Sequence, residues 1–281
     1  MDIYICKESV FHHFPQVSVE VAIDRLDQKK VQLVSGTLGS IFSRTKPEDI
    51  ELVSVENRLE AYWVIKAHLR TVYERNRTYT LPLSGSEIDH VTIHGQDIPV
   101  TADSKGNVSL SLNGVEHCLE EFQQSYGFDG DGAEIDLSKY QAYPKTEVVD
   151  LENFAPEGVL VISPKALAST VVRSVLSKVI KPVDAQIIHE ERIDIEALEI
   201  NFKPVYAMEY HWKPKNKMVV LEFDALTGEI LGQGQKLGDT VKGVLTPEFL
   251  FDVTAVTAGA LVPGGSIAVK LVKVAYDHKK K

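Results

Sequence analysis

Two stretches of the chain place apolar residues at every second position, with mostly polar residues between them. Residues 206–212 place an aromatic or methionine side chain at every second position, and residues 63–69 place an apolar side chain at every second position. Because successive side chains of a β-strand point to opposite faces, the alternation predicts two strands, each with one buried face. The buried faces would comprise Trp63, Ile65, Ala67 and Leu69 in one strand and Tyr206, Met208, Tyr210 and Trp212 in the other.

A stripe of apolar residues at helical spacing precedes each strand. The second stripe predicts a helix that begins near Pro164 and ends before Pro182, and the first predicts a helix that ends before Pro47. Residues 17–23 alternate, so the stretch before the first stripe also fits a strand. The stripes consist of Val31, Val34, Leu38 and Ile41 and of Leu167, Val171, Val175 and Val179.

Each alternating strand is followed by a basic tip and another strand. The tips Arg75-Asn76-Arg77 and Lys215-Asn216-Lys217 suit hairpin turns, because asparagine tolerates turn conformations and the charges stay in water. The next strands end in Leu83-Ser84-Gly85 and Leu226-Thr227-Gly228, where glycine can adopt the positive φ that many turns require. The same order of elements therefore occurs twice.

This order predicts an α+β fold of two similar units, each a helix packed on an antiparallel sheet. Between them, residues 87–118 would add strands joined at Gly95, Gly106 and Gly114. Residues 266–278 fit either an amphipathic helix or a strand. The expected divisions are a first unit with added strands at 1–127, a linker at 128–154, a second unit at 155–238 and a helical or mixed extension at 239–281.

The second unit, about residues 163–232, resembles the PepSY domain family. The resemblance is carried by Asp224-Ala225-Leu226-Thr227-Gly228 after a β run, and a diverged first copy would span about residues 26–85, with Leu81 where the aspartate is expected. It implies a small α+β module with a binding or inhibitory role. Read physically, Asp224, Thr227 and Gly228 would stabilise a turn.

Composition favours a cytoplasmic protein. The net charge of −10 and 44% hydrophobic residues fit an acidic globular chain that repels nucleic acid as a whole. The two cysteines, Cys6 and Cys118, lie far apart and cannot form a disulfide framework. The N-terminus lacks a secretory signal pattern, and the apolar stretch at 249–262 is too short to span a bilayer.

No motif predicts a catalytic, metal or cofactor site. Residues 259–266 resemble a phosphate-binding loop but carry Gly265 where its lysine belongs, and residues 128–134 lack the ligand pattern of a calcium loop. The histidines lack the usual structural zinc spacing, although distant residues could still converge on a metal. A group of carboxylates close together in the sequence predicts a solvent-exposed sheet face or edge; they are Glu190, Glu191, Asp194, Glu196 and Glu199.

The candidate binding residues are therefore the basic tips. They could contact phosphates or an acidic partner, although exposed turns carry such charges for solubility anyway. We expect a non-catalytic protein-binding or scaffold protein, with a homo-oligomer left open. The alternatives are a metal-dependent hydrolase with a site between the two units and nucleic-acid contact through the tips. The candidates are Arg75, Arg77, Lys213, Lys215, Lys217 and Trp212, with Lys279-Lys280-Lys281 as a further basic group.

Overall fold

We describe a computed structural model of the chain over residues 1–42, 45–151, 153–154, 156–234, 245–253 and 270–273. Strands dominate it. The helices are α1 (Val19–Phe42), α2 (Ala168–Val179) and the short α3 (Pro247–Leu250). The strands are β1 (Asp2–Ile5), β2 (Ser9–His13), β3 (Ile50–Leu83), β4 (His90–Ile93), β5 (Gln96–Ala102), β6 (Val108–Asp129), β7 (Glu134–Ile135), β8 (Lys145–Glu147), β9 (Val159–Ile162), β10 (Ile187–Trp212), β11 (Lys217–Asp224), β12 (Ile230–Gln233) and β13 (Lys270–Lys273).

The two long strands β3 and β10 form the centre of one mixed sheet. They pair antiparallel along almost the whole of β10, from Ile187 opposite Glu74 to Trp212 opposite Ile50. β6 pairs antiparallel with the other side of β3. On the side of β10 away from β3, three strands pair with successive parts of β10. β1 and β2 run parallel to it, and β11 runs antiparallel. The central order is β12-β11-β10-β3-β6-β5-β4.

The predicted fold of two helix-on-sheet units is therefore wrong. The alternating strand that follows each helix does not form a sheet of its own, because β3 and β10 pair with each other. α1 packs against β10, β11 and β12, whereas α2 packs against β3. Alternation requires that one face of a strand be buried but does not specify which helix covers it. That choice is made by long-range packing.

The two largest apolar clusters of the described residues lie along this sheet. In the first, Trp63, Ile65, Ile193 and Ile195 pack with the buried face of α2. In the second, the buried face at the end of β10 packs with Ala22, Leu26 and Val34 of α1; its aromatic and sulfur side chains are Tyr206, Met208, Tyr210 and Trp212. The predicted buried faces of both alternating strands are thus confirmed.

The local predictions of helices have mixed outcomes. The second stripe forms α2, which begins at Ala168 and ends before Pro182 as expected. The alternating residues 17–23 fall largely within α1, which begins at Val19, so the strand alternative is wrong there. In α1, Val34 is buried and Val31 packs against the same cluster. Within α1, Val19 and Ile23 are four residues apart and pack against this cluster, whereas Val21 between them is exposed.

The predictions of turns also have mixed outcomes. Asn216 adopts a left-handed conformation with φ of 45° and joins β10 to β11, so the second tip is a turn. Arg75-Asn76-Arg77 instead lies inside β3, because Gly114, Val115 and Glu116 of β6 pair with it. Gly95 and Gly106 have positive φ at turns, whereas Gly114 is inside β6. A basic stretch with one asparagine therefore does not distinguish a turn from an exposed strand.

Residues 128–154 contain β7, β8 and a short helical turn at Leu137–Lys139. β7 pairs with β6, and β8 pairs with β2. Near the C-terminus, Lys270–Lys273 forms β13 beside β1, which selects the strand alternative for these four residues. The glycine-rich stretch 259–266 and Lys279-Lys280-Lys281 lie outside the described residues.

Candidate functional site

One side of β6 is open over most of its length. β3 pairs with all of β6, from Val108 to Asp129. On the opposite side, β5 pairs only with residues 108–110 and β7 only with residues 127–128. Among the described residues no strand pairs with that side of residues 111–126. The sheet therefore presents a long edge whose two ends are already defined by neighbouring strands.

The backbone geometry of β6 identifies the groups that this edge offers. Near one end, the Ser109 carbonyl accepts a hydrogen bond from Thr101 Oγ1 of β5 at 3.3 Å. At the other end, the Asp129 amide donates to the Ala133 carbonyl at 2.8 Å. The register with β3 is continuous between these positions. Because backbone direction alternates along a strand, the odd-numbered residues of 111–125 direct their N–H and C=O groups to the open edge.

Apolar side chains are exposed along the same edge. Val115 is 52% exposed and Leu119 is 56% exposed. Leu119 lies opposite Val72, and Glu121 lies opposite Arg70, on the face of the sheet away from α2. Phe122, on the other face, packs against the α2 cluster. Natural sheet edges are usually protected by lysine, proline or a bulge, so exposed leucine and valine on an open edge favour a contact surface.

A groove of about 1120 Å³ lies on the face of the sheet away from α2. His68 and Arg70 of β3, Glu121 of β6 and the polar face of β10 line it. Its side chains already pair with one another: His68 contacts Glu121 at 2.9 Å, and Arg70 contacts Glu190 at 3.1 Å. The charges of the groove are therefore largely neutralised within the chain, which disfavours a free acid or base.

The predicted carboxylate cluster on β10 forms ion pairs with groups on several elements. Asp194 pairs with Arg192, whose guanidinium also lies over the ring of Tyr4, 4.4 Å from its centroid. The shortest contacts between the other carboxylates and their cations are Glu190–Arg70 at 3.1 Å, Glu191–the Met1 amino group at 3.8 Å, Glu196–Lys66 at 3.0 Å and Glu199–Lys145 at 2.5 Å. Four of these carboxylates line the groove on the face away from α2, as predicted, whereas Glu191 lies with Leu69 and Val179 on the α2 side.

Cys6 lines the same groove but has an unreactive environment. Burial, with a smaller contribution from Glu8, raises the pKa of the Cys6 thiol to about 11. The thiol is therefore protonated near neutral pH, and a protonated thiol is a poor nucleophile. In the described part of the chain, no three His, Cys, Asp or Glu residues are arranged to hold a metal ion.

A buried polar cluster lies further along the sheet. Lys203 Nζ contacts Asp224 Oδ2 at 2.6 Å and the Tyr140 hydroxyl at 3.3 Å. The ring of Tyr140 packs against the ring of Tyr62, whose hydroxyl lies 2.8 Å from His13 Nε2. His13 Nδ1 lies 2.9 Å from the Pro144 carbonyl, which can only accept. Nδ1 therefore carries hydrogen, and in the neutral imidazole Tyr62 donates to Nε2.

The turn after β11 has the structure that the sequence predicts. Asp224 Oδ1 accepts hydrogen bonds from the amides of Leu226 and Thr227, each at 2.9 Å. Thr227 Oγ1 accepts from the Glu229 amide at 3.3 Å, and Gly228 has φ of +79°. These hydrogen bonds and the positive φ agree with the turn roles predicted for Asp224, Thr227 and Gly228. Sequence reasoning did not identify Lys203, although a lysine inside an apolar strand is a usable signal.

The basic tips lie at opposite ends of β10. Arg75 and Arg77 follow Glu74, which pairs with Ile187, whereas Trp212 ends the strand. The contour of the strand between these ends is about 80 Å at roughly 3.3 Å per residue. The structure therefore does not bring the two tips together into one basic surface.

Most of these candidate binding residues also have partners. Arg75 and Arg77 pair with Glu116, and Lys213 pairs with Glu51 at 2.9 Å. Lys215 Nζ lies 4.2 Å from the centroid of the Trp212 ring. Lys217 lies opposite Trp212 in the β10–β11 pair. The carboxylates of Glu116 and Glu51 therefore offset part of the positive charge at the two tips.

The acidic turn considered for calcium is held by its own backbone and by lysines. Asp129 Oδ1 accepts from the amides of Asp131 and Ala133 at 3.0 and 2.9 Å. Asp131 pairs with Lys165, and Glu134 pairs with Lys178. These carboxylates thus stabilise the turn and join it to the α2 region.

No family model, curated protein sequence or solved structure matches this chain. The resemblance to PepSY domains therefore stays a prediction. Of the described helices, none combines the length and apolar character needed to cross a bilayer.

Proposed function

We propose that this protein binds another polypeptide by adding a strand to the open edge of β6. The observation that carries the proposal is the side of residues 111–126 that no strand of the described residues pairs with, bounded by β5 and β7. An extended peptide on such an edge gains main-chain hydrogen bonds for affinity and side-chain contacts for specificity. This mode agrees with the binding role that the PepSY resemblance implies.

The side chains beside the edge support the same function. Exposed Val115 and Leu119 offer apolar contacts on one face, and His117 and Glu121 flank Leu119 with polar groups. An apolar centre with a polar surround is the usual anatomy of a protein interface. The net charge of −10 and two free cysteines are compatible with a cytoplasmic location for this interaction.

Photo-crosslinking in the native host tests the proposal. A benzophenone amino acid replaces Leu119 in the full chain, and the matched control places it at Val149, which is 94% exposed but lies outside the edge. We expect a defined polypeptide adduct from position 119 and none from position 149. Gln123→Pro removes one N–H that points to the edge while leaving the hydrogen bonds to β3, so it should abolish the adduct.

Equal labelling from the two positions, or an adduct that survives Gln123→Pro in a correctly folded protein, would contradict strand addition at this edge. Far-UV circular dichroism of each variant establishes that the sheet is retained.

A further inference from the structure

We infer that the strand added to β6 is β6 of a second copy of this chain, in an antiparallel two-fold pair centred on Leu119. The inference rests on the proposed function and specifies its partner. A two-fold pair requires a self-complementary surface, since the same residues meet in both directions. The direction of the backbone groups, the charges and the length of the open edge each restrict the register of that pair.

The direction of the backbone N–H and C=O groups excludes half of the possible registers of the two-fold pair. In an antiparallel ladder, a residue whose N–H and C=O point to the edge must face another such residue. On β6 these residues are odd-numbered, as the contacts of Ser109 and Asp129 show. Odd residues must therefore pair with odd residues, so the two-fold axis passes through a residue and not between two residues.

Like charges exclude four of the six axes nearest the middle of the open edge, those through Glu116, Cys118, Glu120 and Glu121. An axis through Cys118 would place Glu116 opposite Glu120 on both sides of the axis. An axis through Glu116, Glu120 or Glu121 would place that carboxylate opposite its own copy. Like charges directly opposite each other destabilise a strand pair. Two axes near the middle of the open edge avoid these contacts, one through Leu119 and one through His117.

The axis through Leu119 places histidines opposite carboxylates across the interface, in addition to the contacts that His117 makes with Glu74 and Glu121 makes with His68 within each chain. Leu119 would meet Leu119 of the partner subunit, and His117 would meet Glu121 of the partner subunit on both sides of the axis. Each such cross-strand pair stabilises by about 0.2–1 kcal/mol. The exposed face of Leu119, 56% accessible in the single chain, would be covered at the centre of the interface.

The length of the open edge also favours this axis. Centring the pair on Leu119 joins residues 112–126 of one copy to the same residues of the other. This range fills the gap between β5, which ends its pairing at residue 110, and β7, which begins its pairing at residue 127. Centring it on His117 would join only residues 111–123 and would place two imidazoles opposite each other.

Cysteine crosslinking tests the register. In a Cys118→Ser background, Leu119→Cys places two thiols at the axis, where opposing Cα atoms of a hydrogen-bonded pair lie about 5.5 Å apart, within disulfide reach. We expect rapid formation of a disulfide-linked dimer under mild oxidation. His117→Cys in the same background is the matched control and should crosslink at least roughly ten-fold more slowly, since its partner position is displaced along the strand.

Sedimentation velocity measures the dimer itself. Leu119→Lys places two ammonium groups opposite each other and should shift the protein to monomer, whereas Val149→Lys adds the same charge away from the edge and should leave the dimer intact. His117→Ala should weaken the dimer on the order of ten-fold.

A monomeric wild-type chain, or faster crosslinking through position 117 than through position 119, overturns this inference. A monomeric wild-type chain could still give a photo-crosslinked adduct with a different polypeptide at position 119, lost in Gln123→Pro. In that case the edge binds a strand of another protein, and only the inference of a self-pair fails. If neither self-pairing nor capture occurs, both proposals fail.

Discussion

Lys203 and Asp224 form a buried ion pair, with 2.6 Å between Nζ and Oδ2, that joins the centre of β10 to the turn after β11. Asp224 is fully buried, and its other carboxylate oxygen holds the turn amides. Burial acts to lower the pKa of Lys203, but Asp224 and Tyr140 outweigh it and raise that pKa above its ordinary value. The lysine is therefore charged at all physiological pH values.

Removing one partner of this pair should be costly. Lys203→Met leaves the Asp224 carboxylate buried without its cation, and we expect a loss of about 3–5 kcal/mol in the free energy of unfolding. Denaturant titration followed by circular dichroism measures it. Lys139→Met is the control, because Lys139 and Glu229 form an exposed pair whose loss should cost less than about 1 kcal/mol. Similar costs for the two variants would contradict a stabilising role of the buried pair.

The two tryptophans report separately on the two apolar clusters. Trp63 lies in the cluster with α2, and Trp212 lies in the cluster with α1. Because β3 and β10 run through both clusters, we expect one cooperative unfolding transition. In Trp63→Phe and Trp212→Phe variants, the fluorescence midpoint of the remaining tryptophan should coincide with the circular dichroism midpoint of the same variant. Two separated transitions would indicate two independent folding units.

Glu60 should make stability depend on pH. Burial, assisted by Glu222, raises the pKa of Glu60 to about 7. Its carboxyl binds a proton more tightly in the folded chain than in the unfolded chain, so its contribution to stability falls as pH rises from about 4.5 to 7. Glu60→Gln should remove this contribution and raise the free energy of unfolding at pH 8 by up to about 3 kcal/mol relative to wild type.

The measurement is the difference between wild type and Glu60→Gln across this pH range, which cancels the titration of other groups. His13 is one such group, since burial lowers its pKa and makes its contribution fall as pH decreases. Glu157→Gln, at an exposed position, is the control and should follow the wild-type pH profile. A constant difference between wild type and Glu60→Gln over this range would refute the assignment.

Gly228 should tolerate substitution poorly because of its backbone. With φ of +79°, a β-carbon is strained, and we expect Gly228→Ala to cost about 1–2 kcal/mol. Gly228→Asn should cost less, since asparagine enters this conformation more readily. The nearest atom to a β-carbon at position 228 would be Arg25 Nη1, at 2.7 Å. Because the arginine side chain is flexible, it can move away, so this contact adds little to the cost.

Thermal unfolding ranks these variants against Gly114→Ala. Gly114 lies in extended backbone within β6, where a β-carbon would lie 3.3 Å from Tyr79 Cε2, so we expect alanine there to cost less than alanine at position 228. Equal losses for alanine at positions 114 and 228 would show that the positive φ is not the cause.

Local patterns in the sequence predicted many elements correctly but not their partners. The stripe ending at Val179 identified α2, and the run ending at Trp212 identified a strand with a buried face. The Asp224 turn was also predictable, because its carboxylate bonds amides only a few residues away. The predicted two-unit fold was wrong because it assumed that each helix covers the strand that follows it.

The open edge of β6 could not be found in this way. The alternation of Val108, Leu110 and Leu112 indicated a strand, but an edge is defined by which strands are missing beside it. Here β3 occupies one side of β6, and the pairing of β5 and β7 leaves only the middle of the other side open. Lys203 was missed for a related reason, since its partner Asp224 lies in a different strand.

The sequence by itself determined which residues are helical or extended, which faces are apolar and how the Asp224 turn closes, because side-chain periodicity and short-range hydrogen bonds act within a few residues. Only the tertiary structure decided that β3 and β10 share one sheet, that each helix packs where it does and that β6 keeps an open side. Backbone hydrogen bonds are the same for every strand, so the choice among partners depends on how the whole chain buries its apolar faces.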